Sequence, residues 1–280
     1  MPDNPTEVEG GRIALPGHRI LALTGVDAPK FAQAQFMNDV ALLGDGEWQW
    51  NGWLNAKGRL IALFALLRLD AATLWLLLPD HPPAALAEDL RKYVFRSKVK
   101  LDVRDDLRVE GGHTGTEIPA GRFEGDAERG LSLGWPGGRS LHVVPGTFEA
   151  ASTATEAPAW RSADLRAGLP RLEEAQSAQW TPQQLSLERL AAFSVKKGCY
   201  PGQEIVARTH FLGQAKRGLR LLEADAPLAP GADVEQAGRA IGKIASVAGR
   251  HALAVLPLEI ADDAPLESAG TPLTLQALDA

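Results

Sequence analysis

The sequence contains a single cysteine, Cys199, among 280 residues. One thiol cannot form an internal disulfide, and it cannot alone supply the ligands of a zinc site or an iron–sulfur cluster. A disulfide-stabilised secreted scaffold is therefore excluded, as is a protein that holds a cluster entirely with its own thiolates. The six histidines show none of the HxxxH or HExxH spacings that metal ligands use, so we expect no metal site.

The sequence also lacks a secretory signal and a long apolar run. Acidic residues interrupt the first twenty positions, where a signal peptide needs an apolar stretch. The most hydrophobic window, Leu60–Leu78, is broken by Arg68 and Asp70, whereas a membrane-spanning helix needs about 20 consecutive apolar residues. The window predicts instead a buried hairpin with strands over residues 60–69 and 73–78. We expect a soluble cytoplasmic protein with no membrane contact.

Nucleotide-binding signatures are missing as well. The segment Gly238–Lys243 ends in a Gly-Lys pair, but its spacing is one residue short of a P-loop, and Ile244 stands where Ser or Thr is required. No GxGxxG follows a predicted strand. We therefore expect neither a P-loop nor a dinucleotide-binding fold.

Charge is distributed unevenly along this acidic chain, whose formal net charge is −6. An acidic balance argues against non-specific duplex binding, which requires broad phosphate neutralisation. Six basic residues against one acid give residues 191–220 a charge of +5, which suits a small anionic ligand. A second basic run, residues 91–100, is interpreted equally well as a solvated helix face. We do not expect direct tRNA contact there, because Tyr93 and Phe95 are its only aromatic residues.

Local patterns predict several helices and a C-terminal barrel. Asp27 is expected to cap a helix with Pro29 in its first turn. Thr181 and Gln184 form a capping-box pattern, which predicts a helix ending near Ser194. Another helix is predicted to begin at Gln203. After Gly218, short strand-like segments separated by Gly and Pro predict a small closed barrel.

The length of the chain suits two or three compact modules. Ten of the 28 glycines fall between Gly111 and Gly146, which indicates short strands and long turns in the middle of the chain. The predicted domains are an N-terminal α+β domain over residues 1–105, a central α+β domain over 106–215 that interleaves with the first, and a barrel over 216–280.

One segment, Lys196–Arg208, points to chemistry. Its glycines and proline force a sharp turn, and this turn places the Cys199 thiol just before the helix predicted from Gln203. Helix N–H groups and the adjacent lysines favour a thiolate over a thiol, whereas Glu204 opposes this effect if it is directed inward. A buried, inert cysteine is the alternative, and the residues alone leave both interpretations open.

The run Lys197-Gly198-Cys199-Tyr200-Pro201-Gly202-Gln203-Glu204 resembles the K-G-C-Y-x-G-Q-E signature of the YgfZ-type folate-binding proteins. These are relatives of a mitochondrial iron–sulfur assembly factor and of the glycine-cleavage T-protein, an aminomethyltransferase. Further agreement is found at Thr24-Gly25, Lys57-Gly58-Arg59, Lys92–Phe95, Ala167–Pro170, Pro182-Gln183 and Lys216-Arg217. The resemblance implies an α+β fold of three domains, arranged as a ring around a channel that holds tetrahydrofolate, with the small β-barrel at the C-terminus.

The resemblance also implies site residues. Cys199 would be the working residue and Lys197 would tune its thiol. The surrounding loop would be formed and ordered by Gly198, Tyr200, Gly202, Gln203 and Glu204. Trp160 and Arg217 would contact the folate, although the residues alone favour core packing for Trp160.

The implied function is that of a tetrahydrofolate-binding accessory protein that supports assembly or repair of iron–sulfur enzymes, including tRNA-modifying ones. Its partners would be folate and iron–sulfur enzymes or assembly proteins. The alternative is a folate-dependent one-carbon or aminomethyl transferase. The carboxylates that assist folate chemistry in the aminomethyltransferases are missing here, where Ala62, Leu63 and Arg166 occupy the corresponding segments. We therefore favour the accessory protein over the enzyme.

Overall fold

The structure, a computed structural model, describes residues 7–8, 11–113, 118–147, 158–213, 215–261 and 264–279. The strands are β1 (Glu7–Val8), β2 (Arg12–Ala14), β3 (Arg19–Thr24), β4 (Glu47–Leu54), β5 (Leu60–Asp70), β6 (Thr73–Leu78), β7 (Lys100–Val103), β8 (Leu107–Gly112), β9 (Phe123–Asp126), β10 (Gly130–Trp135), β11 (Arg139–Pro145), β12 (Arg217–Glu223), β13 (Asp233–Gln236), β14 (Arg239–Ala248), β15 (His251–Pro257), β16 (Leu266–Ser268) and β17 (Thr271–Gln276). The α-helices are α1 (Ala28–Gln35), α2 (Pro83–Arg91), α3 (Pro158–Arg166) and α4 (Gln203–Leu212), and 3₁₀ helices cover Val40–Leu42, Glu174–Gln176 and Leu187–Leu190.

The predicted hydrophobic hairpin is confirmed. Strands β5 and β6 pair antiparallel, with Ala65 opposite Leu77. Arg68 is accommodated in this apolar strand because its guanidinium donates to the Asp45 carboxylate at 2.8 Å and to the Leu43 carbonyl at 2.9 Å. No helix in the part of the chain that the structure describes is long and apolar enough to span a membrane.

The first sheet has the strand order β4-β5-β6-β3-β7, and all its neighbouring strands are antiparallel. Side chains alternate between the two faces of each strand, so this sheet separates two apolar cores. One core, on the side of α1 and α2, contains Phe36, Trp53 and Phe64. The other core, which the rest of the chain shares, contains Trp48 and Trp50.

The second sheet has the strand order β1-β2-β8-β11-β10-β9. Strands β1 and β2 precede the first sheet in sequence but pair with the second, and Ile13 lies opposite Gly111. Strands β1 and β2 thus belong to the second sheet, β3 to β7 form the first sheet, and β8 to β11 complete the second.

The last six strands close into a barrel with the order β12-β15-β14-β13-β16-β17. Its interior is apolar and includes Leu222, Val234, Ile244 and Leu256. The predicted C-terminal barrel is therefore confirmed.

The α-helix predicted to begin at Thr181 is wrong. Gln184 does form the predicted capping box with Thr181, but turns follow and only Leu187–Leu190 become a short 3₁₀ helix. Ser186 and Ala191 on either side have left-handed backbone, with φ of +49° and +47°. An α-helix cannot pass through such residues.

The helix predicted from Gln203 is confirmed as α4. Helix α1 begins as predicted, with a proline in its first turn, but the expected side-chain cap is wrong. The Asp27 carboxylate accepts a hydrogen bond from the Lys98 backbone N–H at 2.7 Å instead. Asp27 therefore joins two loops rather than capping its own helix.

Three buried charged residues, Arg139, Asp164 and Arg171, and the partly buried Asp80 form what we call the Asp164 cluster. The Asp164 carboxylate on α3 is fully buried and accepts from the Arg139 guanidinium at 2.7 Å and from the Arg171 guanidinium at 2.8 Å. Arg171 also pairs with Asp80 at 2.8 Å. Each charge is thus opposed by another, as burial in a medium of low dielectric constant requires.

The Asp164 cluster joins the three sheets. Asp80 follows β6 of the first sheet, and Arg139 begins β11 of the second. The backbone N–H of Arg171 donates to the Ser246 hydroxyl on barrel strand β14 at 3.1 Å. The relative arrangement of the sheets is therefore fixed by ion pairs and hydrogen bonds as well as by apolar packing.

Candidate functional site

The segment from Lys197 to Gln203 forms a loop that leads into α4. Its residues lie in two environments: Lys197 and Tyr200 are buried, whereas Gly198 and Cys199 between them are exposed. The loop therefore anchors itself through its flanks and presents the thiol to solvent. The buried position that the alternative interpretation gave Cys199 is wrong, and its reactivity stays a prediction.

Lys197 is the first anchor of the loop. Its Nζ donates to the carbonyl oxygens of Gln33, Phe36 and Asn38 at 2.6, 2.5 and 3.0 Å, at the C-terminal end of α1. Carbonyl groups at a helix end carry partial negative charge and suit a cation. Burial lowers the pKa of Lys197 to about 8, and the Asp39 carboxylate acts in the opposite direction. The ammonium thus ties the loop to α1, while its effect on the thiol stays a prediction.

Gly202 is the second anchor, because only glycine fits its position. Its φ is +77°, and a Cβ built there would lie 2.5 Å from the Asn55 carbonyl oxygen and 2.8 Å from the Gly58 Cα. Gly58 is equally confined, since its own Cβ would lie 2.7 Å from the Ile205 Cβ. The turn between β4 and β5 therefore packs directly against the start of α4, so the Lys57-Gly58-Arg59 motif and the cysteine motif meet in one contact.

The other motif residues close the loop on itself. The Gln203 side-chain amide donates to the Lys197 carbonyl oxygen at 3.1 Å. The Tyr200 hydroxyl donates to the Ser194 carbonyl oxygen at 3.3 Å, and burial raises the pKa of Tyr200 to about 12. Glu204 lies exposed in the first turn of α4. The inward orientation that would oppose a thiolate is therefore not adopted.

Trp160 lies in the interior, 5% exposed, on helix α3. The Arg139 guanidinium lies 4.3 Å from the centroid of its ring. On β8, a Cβ at Gly111 would lie 2.7 Å from the indole, so the ring presses against bare backbone. The core packing that the residues alone favour is present, and the folate contact stays a prediction.

Three further tryptophans form an aromatic cluster that the sequence interpretation did not single out. Trp48 stacks on Trp135 with ring centroids 6.3 Å apart, and Trp50 lies 4.9 Å from Trp135. The alternation of Trp48 and Trp50 along β4 places both on one face of the sheet, which was the available signal. The indole Nε1 atoms of Trp48 and Trp160 are buried without a hydrogen-bond partner among the described residues.

Arg217, at the start of β12, is exposed and donates to the Ile241 carbonyl oxygen. It lines two neighbouring clefts of about 320 and 290 Å³ between the barrel and the middle of the chain. The larger cleft also contains His210 and Glu188, a carboxyl whose pKa is raised by burial. The structure thus places Arg217 in open clefts and Trp160 in the core, and it does not bring the two together.

A serine–histidine pair occurs on the second sheet but has no catalytic geometry. Ser132 lies within a Gly-x-Ser-x-Gly run on β10, and its hydroxyl lies 2.7 Å from His142 Nδ1 on β11. The other ring nitrogen lies 2.9 Å from the Ser140 hydroxyl. A nucleophile elbow requires a sharp strand-to-helix turn, whereas this serine is mid-strand.

Metal ligands are likewise not gathered. Within the described residues no group of three or more His, Cys, Asp and Glu side chains is arranged to hold a metal ion.

The C-terminal barrel matches a known family: a model described as the C-terminal beta-barrel domain of CAF17 covers residues 216–279. Two relatives extend the similarity beyond the barrel. An uncharacterized protein of Haemophilus influenzae is 32% identical over 211 residues, or 74% of this chain and 71% of the relative. The tRNA-modifying protein YgfZ of Klebsiella pneumoniae is 32% identical over 241 residues, or 77% of this chain and 73% of the relative.

The fold has a solved counterpart in glycine cleavage system aminomethyltransferase T from Bartonella henselae. The TM-score is 0.75, and the match covers 95% of this chain and 85% of the other. Sequence identity is only 17%, so this match shows the fold and nothing further. The expected α+β, aminomethyltransferase-like architecture is confirmed.

Proposed function

The chain belongs to the YgfZ family, and on that premise we propose that it is a tetrahydrofolate-binding accessory protein that supports assembly or repair of iron–sulfur enzymes, including tRNA-modifying ones. The Klebsiella pneumoniae relative is itself named a tRNA-modifying protein. The observation that carries the proposal is the placement of Cys199. The only thiol of the chain is exposed on a loop fixed by Lys197 at one end and by Gly202 at the other.

Cys199 acts in this proposal as one temporary ligand of a cluster that a partner protein also holds. A cluster takes about four thiolate ligands, and this chain has one cysteine. The cluster is therefore cargo that passes through a shared site. A rigid loop with an exposed thiol suits this role, because the partner must approach the sulfur without displacing other side chains.

The aromatic cluster is compatible with a pterin ring. Flat heteroaromatic ligands need apolar walls and a few hydrogen-bonding groups that are not already used. Trp48, Trp50, Trp135 and Trp160 would supply the walls, and the Nε1 atoms of Trp48 and Trp160, which have no hydrogen-bond partner among the described residues, would supply donors. Tetrahydrofolate, when bound, would supply one-carbon chemistry at its reduced pterin.

The anionic glutamate tail of folate is assigned to the clefts at Arg217. A guanidinium binds carboxylates through two parallel hydrogen bonds. Arg217 is exposed and lines both clefts. The guanidinium nitrogens that do not donate to the Ile241 carbonyl are therefore open to a ligand. Arg217 would thus bind the tail.

The role of Cys199 is tested by Cys199→Ala in cells that lack the native copy of this gene. We expect loss of the modified nucleosides that iron–sulfur enzymes make in tRNA, measured by mass spectrometry of digested tRNA. Folate affinity should stay nearly unchanged. Lys196→Ala, which alters an exposed neighbour, is the control and should preserve modification. Full modification in the Cys199→Ala strain would refute the thiol role.

The folate assignment is tested by titrating tetrahydrofolate against intrinsic tryptophan fluorescence. Arg217→Ala is expected to weaken binding by about tenfold, corresponding to about 1.4 kcal/mol, whereas Lys216→Ala, its exposed neighbour, should bind normally. Trp160→Phe keeps the core filled and removes one indole donor, so its affinity should also fall. Equal affinities in all four proteins would contradict the assignment.

The second candidate function is a folate-dependent aminomethyl transferase, the activity by which the solved counterpart of this fold is named. In β5 the side chains of Ala62 and Leu63 are buried in the apolar cores, so that strand provides no carboxylate for acid–base catalysis near its start. A turnover assay with methylenetetrahydrofolate and the other glycine-cleavage components separates the two candidates. Multiple turnovers would establish the enzyme.

A further inference from the structure

An exposed apolar and basic surface lies outside the site described above, around the segment after α2. Three apolar side chains are open to solvent: Val26 is 72% exposed, Tyr93 is 44% exposed and Phe95 is 91% exposed. The basic residues Arg96 and Lys98 are exposed among them. We call these five residues the Phe95 patch. Large apolar side chains grouped on a surface mark interaction sites.

The Phe95 patch is held in place by backbone contacts. The Lys98 N–H donates to the Asp27 carboxylate at 2.7 Å, and the loop before α1 approaches so closely that a Cβ at Gly25 would collide with the Lys98 carbonyl. Val26 lies between Gly25 and Asp27 in sequence, and both of these neighbours contact Lys98, so Val26 is held beside Lys98. Phe95 itself has φ of +41°, a conformation that costs energy for a bulky residue and that often marks a functional position.

The charge of this surface is moderate. Lys92 is paired with Asp89 at 2.5 Å, and Arg91 donates to the Leu101 carbonyl oxygen at 2.8 Å. Arg96 and Lys98 form no ion pair within the described residues, so both are available to a partner. A cleft of about 500 Å³ runs beside Phe95, with walls of Val94, Val99 and Leu101 and a rim of Arg91, Lys100 and Asp102. This cleft is large enough for a partner's side chain.

The Phe95 patch borders the same apolar core as the anchor of the cysteine loop. The Tyr93 ring packs edge-on against Trp53, with centroids 6.1 Å apart. Trp53 pairs with Phe36 through a backbone bridge, and the Phe36 carbonyl oxygen accepts the Lys197 ammonium. Two buried residues therefore connect the patch to the loop that carries Cys199.

We propose that the Phe95 patch docks an acidic face of the iron–sulfur protein that Cys199 serves; this inference rests on the proposed function. Three apolar side chains with a basic rim match the composition of a protein interface, where aromatic anchors fill pockets and charges surround them. RNA binding would favour more cations and several stacking platforms. Here Asp89 and Asp102 interrupt the cations, and the Tyr93 ring is already packed against Trp53.

The test measures binding of a purified iron–sulfur enzyme that modifies tRNA, in its cluster-free form, from the same organism as this chain. Phe95→Ser and Arg96→Glu are each expected to weaken its affinity at least tenfold. Affinity for the unaltered chain should also fall between 50 and 300 mM salt. The matched controls lie on the barrel: Leu275→Ser removes another exposed apolar side chain, and Arg239→Glu reverses another exposed cation. Both controls should bind normally.

A second arm replaces the enzyme with total tRNA. Loss of enzyme binding in both patch variants, with unchanged controls, supports the docking surface. Three outcomes overturn it: no binding of the enzyme to the unaltered chain, equal binding by patch variants and controls, or an effect of the patch variants on tRNA binding alone. Normal tRNA modification in Cys199→Ala cells together with weakened binding by Phe95→Ser would retain the docking surface and reject the thiol role.

Discussion

Arg171 and Lys197 are both buried cations, but the chain neutralises them in opposite ways. Arg171 pairs with two carboxylates: Asp80, which lies 91 residues away in sequence, and Asp164, which lies seven residues away. Lys197 donates to three backbone carbonyl oxygens in a single short segment at the C-terminal end of α1. The first arrangement joins sheets, and the second holds one loop.

The difference in partners leads to a difference in what each region tolerates. Full charges in a buried cluster depend on one another, so removing one leaves the others uncompensated. An ammonium that meets carbonyl dipoles keeps a pKa of about 8, close to physiological pH, because burial opposes its charge. The Asp164 cluster is therefore a permanent joint. The loop around Lys197 is a local attachment to the end of one helix.

The largest loss of stability is expected from Asp164→Asn. Two buried guanidinium groups would lose their shared counter-charge, and we expect a loss of about 3–5 kcal/mol in the free energy of unfolding, measured by urea denaturation. Asp225→Asn, which alters an exposed pair with Arg250, serves as the control and should leave the denaturation midpoint unchanged. A midpoint equal to wild type in Asp164→Asn would mean that the cluster does not join the sheets.

The loop offers a matched pair of glycine substitutions. Gly202→Ala forces a left-handed alanine against the Asn55 carbonyl, so we expect a loss of about 2 kcal/mol and faster reaction of Cys199 with a thiol reagent. Gly198→Ala has open space around its Cβ and should match the wild type in both measurements. Equal thiol rates in the two variants would argue against Gly202 as an anchor.

The effect expected from pH is about as large as that of Gly202→Ala and concerns His18, whose ring lies edge-on to Trp135 beside the Asp164 cluster. Burial, reinforced by Arg171, lowers the pKa of His18 to about 3. The unfolded chain therefore takes up a proton near pH 6.5 while the folded chain does not, and stability falls as pH drops from 6.5 toward 3. Between pH 7 and pH 5 this linkage amounts to about 2 kcal/mol.

His18→Gln should remove that part of the pH dependence, so the unfolding free energy of the variant should decline less steeply than that of the wild type. Carboxylates titrate in both proteins and cancel in the difference. Parallel profiles from pH 7 to pH 5 would show that His18 is not responsible.

Local sequence patterns predicted the elements whose partners are close in sequence. The β5–β6 hairpin, the start of α4 and the barrel all follow from periodicity and turn residues. The segment after Thr181 did not, because Ser186 takes a left-handed conformation while its hydroxyl accepts the Leu219 N–H from the barrel. A contact 33 residues away decides that backbone.

In the candidate site, too, local patterns were predictable and long-range contacts were not. The motif around Cys199 identified the loop, but nothing in it indicated that Lys197 binds carbonyl groups 164 and 161 residues away. The Asp164 cluster was equally hidden, since Asp80 lies 91 residues from Arg171. Long-range polar partners carry no local periodicity, so a single sequence does not reveal them.

The strand order of the second sheet has a consequence for how the chain is made. Every strand of the first sheet lies within residues 19–103, so that sheet can assemble while the ribosome is still translating the remainder. Strand β2 must wait, because its partner residue Gly111 is synthesised 98 positions after Ile13. Strand β2 therefore pairs only after every strand of the first sheet has been synthesised, and before the barrel strands are made.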